Sequence, residues 1–96
     1  MVGLLLLDLE IPSSHSLKNK RAAVRPLLSA LARDFGASVA EVGRLDAHRH
    51  AEVAVCVVGN DRRHVNGVLS RAHDRAAGWT GEALLAGSRL ELIDAQ

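Results

Sequence analysis

Leu5, Leu7, Leu9 and Ile11 alternate with Leu4, Leu6, Asp8 and Glu10 along the first segment of the chain. A period of two places each set on its own face, so Val2 to Ile11 is predicted to be a strand with one wholly apolar face. Pro12 and two serines end it. The period then changes. Leu17, Val24, Leu27, Leu28, Leu31 and Phe35 follow at helical spacing and form one stripe, with Ser16 placed to cap the start and Gly36 the end. Pro26 interrupts this helix, and an internal proline costs about 3 kcal/mol. The stripe keeps its phase across Pro26, and the proline lies off the stripe, so the pattern predicts one kinked helix.

Residues 37–44, "ASVAEVGR", alternate as a strand, and residues 45–50, "LDAHRH", form a polar connection. Residues 51–59, "AEVAVCVVG", form a strand apolar on nearly both faces, and the two strands read as a hairpin. Asn60 is expected to cap a second helix whose inner face carries Val65, Val68, Leu69, Ala72 and Ala76, ending near Gly78. A loop, "WTGEALLAG", leads to a last strand over Ser88–Ile93, with Leu90 and Leu92 on one face. The order is βαββαβ. The economical solution is an α+β, ferredoxin-like sandwich: a four-stranded antiparallel sheet in the order 4-1-3-2 with both helices on one face. No linker or low-complexity run divides residues 1–96, so one domain is expected.

Composition sharpens this picture at three points. Apolar residues make up 48% of the 96 residues and charged residues 24%, which fits a globular domain. The net charge of +1 gives no general attraction to nucleic acid, so any basic site must be local. The single cysteine, Cys56, excludes an internal disulfide, fits a reducing compartment, and is read as a core residue. The N-terminal run lacks a basic leader, and Asp8 and Glu10 interrupt it, so neither a signal peptide nor a membrane span is expected and the protein is read as cytoplasmic.

The candidate chemistry gathers at one end of the predicted sheet. The first helix starts where strand 1 finishes, and the hairpin turns at the same end. That topology brings His15, Ser16, Lys18 and Arg21 near Arg44, His48 and Arg49, with Trp79 close by. Lys18, Arg21 and Arg25, spaced i, i+3, i+7, share one flank of the helix. They are candidates to contact phosphate or another anion, aided by the free amides of the first turn. Lys20 falls toward the buried side and is expected to pair with Glu10. His15, His48 and His50 with Asp46 are read as exposed loop groups, not metal ligands, and no catalytic constellation or nucleotide loop is present. The absence of tyrosine argues against base stacking on the open sheet. Leu4 and Leu6, with Val53, Val55 and Val57 beside them, suggest an apolar open face that a sheet-to-sheet or edge-to-edge homodimer would bury.

The blocks "HSLKNKR" at 15–21, "SVAEV" at 38–42 and "NDRRHVNGVL" at 60–69 resemble the YlxP-like family of small bacterial proteins of unknown function. Gly59 stands where that family commonly has a serine, and "DAHRH" replaces a more apolar loop. The resemblance implies a ferredoxin-like fold and no established enzyme activity. It also implies, through genes commonly found beside those of translation factors, a role near the small ribosomal subunit or its RNA. The expectation is therefore a non-enzymatic accessory protein, without cofactor or metal, that contacts RNA through its basic edge. The alternatives are a homo-oligomeric interaction module using the sheet, and a small-anion sensor at the start of helix 1.

Overall fold

A computed structural model describes residues 1–94. Four strands and two helices follow in the order β1 (Val2–Glu10), α1 (Leu17–Phe35), β2 (Ser38–Gly43), β3 (His50–Val58), α2 (Arg62–Ala77) and β4 (Leu84–Ile93). The strands form one antiparallel sheet in the order β2-β3-β1-β4, the same arrangement as 4-1-3-2. The fold is ferredoxin-like, as the order of elements predicts.

The alternation in β1 sets the layers. Leu5, Leu7, Leu9 and Ile11 are each at most 1% exposed and face the helices. Opposite them across the β1–β3 register stand Val55, Val53 and Ala51, equally buried. Val24, Leu27 and Leu31 of α1 and Val65, Val68, Leu69, Ala72 and Ala76 of α2 close the core from above. Gly3 allows α2 to approach β1 closely: a Cβ there would lie 2.5 Å from Val65 Cγ1 and 2.6 Å from Leu69 Cδ1. Any larger residue would force the stiff Val65 side chain to move.

α1 runs unbroken through Pro26, which faces solvent. Its ends are capped as the sequence predicts. Ser16 Oγ accepts the Asn19 amide at 3.0 Å, and Gly36 takes the left-handed conformation at φ 57°. The Asn19 side chain reaches back to accept the His15 amide at 3.2 Å, a reciprocal arrangement that fixes the first turn.

Four expectations are corrected. Asp61, not Asn60, caps α2, and its Oδ1 accepts the Arg63 amide at 3.2 Å. The carboxylate is also the better neighbour for a positive helix start. β4 begins at Leu84, four residues before Ser88, because a bulge between its pairings with Asp8 and Leu9 shifts the alternation and hides the strand's period. Val53, Val55 and Val57 are 0–8% exposed under the helices, so they belong to the core and not to an interface on the open face. Cys56 lies on the opposite side, half-buried on the open face beside Leu4. Glu52 shares the alternation of Ala54 and Cys56 and marks that set as the outward one, a single charge in an otherwise apolar run.

Asp34 ties the two helices. Arg33 Nε donates to it at 3.0 Å and Arg75 Nη1 at 2.8 Å. The Arg33 hydrogen bond, with the charges of Arg33 and Arg75, holds the Asp34 carboxyl below its ordinary value of 3.8. A carboxyl depressed by folding adds stability above its unfolded pKa and loses it as the pH falls through the folded value. Asp34→Asn is therefore expected to lower the melting temperature slightly at neutral pH, with the two proteins converging in acid. Scanning calorimetry across that range checks it.

Candidate functional site

The end of the sheet where β1 finishes is assembled around one buried amine. Lys20 is 1% exposed. Its Nζ donates to Glu41 Oε2 at 2.8 Å, to the Arg44 carbonyl at 3.0 Å and to the His50 carbonyl at 3.1 Å. An ammonium has three N–H groups, and all three are used. The partner expected from sequence, Glu10, is exposed on the other side of the sheet and is not the one found. Glu41 wins because it points to the helix side of β2, opposite Val53, while Glu10 alternates away from the core. Lys20 thus joins the first turn of α1 to the end of β2, the connection after it and the start of β3.

This amine also supports an unusual piece of backbone. Arg44 has φ 56°, in the left-handed region, and is the only non-glycine residue there among those described. A side chain in that conformation costs about 1–2 kcal/mol. The Arg44 carbonyl accepts both Lys20 Nζ and the Ala47 amide at 3.0 Å, which hold the turn in place. Arg49 is fixed in a similar way. Its amide carbonyl accepts from Ile11 at 2.8 Å, and its Nε donates to the Ser14 carbonyl at 3.1 Å. Ser14 is itself buried, with its hydroxyl donating to the Ser16 carbonyl at 3.0 Å. Only the Nε–H of the five guanidinium donors is used in this contact.

Ser14, His15, Asp46, Ala47, His48, Arg49 and His50 line an open groove of about 540 Å³ beside the start of α1. The sequence-predicted candidates His15, His48 and Arg49 are therefore brought together, with Ser16 next to them as the cap. Arg44 is not in that groove. It lines a separate cavity of about 160 Å³ with Asp8, Glu10 and His50. Trp79 reaches the same end, since Leu84 pairs with Glu10, and the Arg75 guanidinium stands 6.0 Å from its ring. Among the described residues no three His, Cys, Asp or Glu side chains converge in a way that could hold a metal ion.

Lys18, Arg21 and Arg25 are exposed on α1, outside the groove. They are part of a larger pattern that the sequence order conceals. The outer surfaces of α1 and α2 carry Lys18, Arg21, Arg25, Arg33, Arg62, Arg63, Arg71 and Arg75, against only Asp34 and Asp74. The open sheet face carries Asp8, Glu10, Glu52 and Glu91, against Arg89. The chain's net charge of +1 therefore conceals a cationic helix layer opposite an acidic sheet face. The signal was present in the helix spans, but counting charge over the whole chain cancels it. A surface of this kind attracts polyanions locally even when the whole molecule is nearly neutral.

No described helix is long and apolar enough to cross a membrane. The family model described as "Protein of unknown function (DUF503)" matches residues 2–89. No curated protein matches the chain.

Proposed function

The chain belongs to the DUF503 family, and from that starting point we propose that it is a non-enzymatic accessory protein that binds RNA phosphates through its cationic helix layer. The segregation of charge carries this reading. Exposed lysine and arginine side chains outnumber carboxylates on the helices, while the open sheet face carries Asp8, Glu10, Glu52 and Glu91 against Arg89. Lys18, Arg21 and Arg25 supply the first set of phosphate contacts, and the anchored Arg49, with His15 and His48, supplies a second at the groove. The open sheet is unsuited to the role because it is acidic and, among the described residues, carries no Phe, Tyr or Trp for base stacking. The resemblance to the YlxP-like proteins supports the same reading and favours RNA of the small ribosomal subunit.

The test is a pull-down from cell lysate with and without nuclease. Recovery of RNA that disappears on nuclease treatment is the expected result. Partners that survive nuclease unchanged, with no RNA recovered, would overturn the proposal in favour of a protein-interaction module.

A further inference from the structure

β4 is a sheet edge ten residues long, with no proline and no lysine. Such an edge offers a free row of backbone donors and acceptors, and natural proteins usually blunt it. The opposite edge, β2, is six residues long and carries an irregularity in its pairing between Glu41 and Gly43. β4 is also apolar where it is open: Leu84 is 50% exposed, Leu90 36% and Ile93 47%. Leu90 lies on the helix side opposite the buried Leu5, yet the helices leave it partly uncovered.

The sequence of this edge is complementary to itself. An antiparallel two-fold pairing centred on Leu90 puts Leu90 opposite its own copy. It also puts Arg89 opposite Glu91 of the second chain, twice by symmetry. Opposite charges facing each other across a strand pair are favourable, and like charges are not. The neighbouring symmetric registers fail on that rule. Centring on Arg89 sets two arginines face to face, and centring on Glu91 sets two glutamates face to face. The favoured ladder runs from Gly87 to Ile93, and the bulge before Gly87 ends it.

We infer that two copies of this chain pair through β4, centred on Leu90, to form a continuous eight-stranded sheet. A two-fold axis perpendicular to the sheet keeps both helix layers on the same side. The dimer therefore doubles the cationic surface on one face, which goes beyond RNA binding by a single copy and does not depend on it. Sedimentation equilibrium reads the association directly. Arg89→Glu alone and Glu91→Arg alone each place like charges opposite one another at both pairs, and each is expected to weaken the dimer about tenfold or more. The double exchange Arg89→Glu with Glu91→Arg restores the opposition and is expected to recover it. Leu90→Cys, in a Cys56→Ala background, is expected to form an intermolecular disulfide under oxidation. A strict monomer at millimolar concentration would overturn the proposal. So would a dimer indifferent to the single reversals, since it would then use another surface.

Discussion

Lys20→Ala is expected to destabilise the protein by about 3–5 kcal/mol, the usual cost of removing one partner from a buried ion pair. The loss has three parts. Glu41, only 18% exposed at its side chain, is left without its counter-charge. The carbonyls of Arg44 and His50 lose their donor. The left-handed turn at Arg44 loses one of the two bonds that hold it. For a domain of this size each 1 kcal/mol moves the melting temperature by about 4–8 °C, so thermal denaturation reads the effect easily. Glu41→Ala is expected to cost a similar amount, because the ammonium would then be buried with neutral acceptors only. The double variant Lys20→Met with Glu41→Leu should recover much of the loss, since apolar replacement of a buried pair is often near neutral. A double variant whose loss equals the sum of the two single losses would show that the groups do not act together.

The Lys20 pair also shows where sequence reading stops. Helical phase alone places Lys20 on the buried side of α1, and burial alone demands a partner. Choosing that partner requires knowing which face of β2 points inward. β2 is short and carries a bulge, so its alternation says little, while Glu10 is nearer in sequence and ends the most regular strand. β3 is a lesser case of the same ambiguity. Most of its residues are small or branched and apolar, so the one charged residue, Glu52, carries the signal: it alternates with Val53 and shares the outward face with Ala54 and Cys56, while Val53, Val55 and Val57 face the core. α1 and α2 were legible because a stripe at helical spacing has one interpretation, and the inner residues of α2 are those the spacing picks out. β4 was half legible, since its bulge breaks the period at the point where the strand begins.

The candidate site divides along similar lines. Local sequence identified Lys18, Arg21 and Arg25 as one flank, and topology placed His15, His48 and Arg49 together. The basic residues of α2 are not gathered by sequence order. Arg62, Arg63, Arg71 and Arg75 are spread over the second helix and look like an ordinary solvated surface until both helices are seen to share one side of the sheet.

Replacing Lys18, Arg21 and Arg25 together with alanine is expected to reduce RNA affinity about 100-fold at low salt, taking about 1 kcal/mol for each lost phosphate contact. All three side chains are exposed and project from the outer face of α1, so the melting temperature should stay close to that of the parent. That separation matters. A variant that loses affinity and unfolds says nothing about contact, whereas one that stays folded assigns the residues. Arg89→Ala, on the acidic sheet face, is the matched control and should leave RNA affinity nearly unchanged at protein concentrations where the chain is a single copy.

The most direct test of the central claim is the salt dependence of RNA binding by the unaltered protein. Each phosphate neutralised by a lysine or arginine releases counterions, so the logarithm of the binding constant falls linearly with the logarithm of salt, by about 0.7–0.9 per contact. With Lys18, Arg21 and Arg25 engaged, the slope should be about −2 or steeper. The triple alanine variant should flatten it by nearly that amount. Binding that is insensitive to salt, or a slope that survives the triple substitution intact, would contradict an RNA contact through the helix layer.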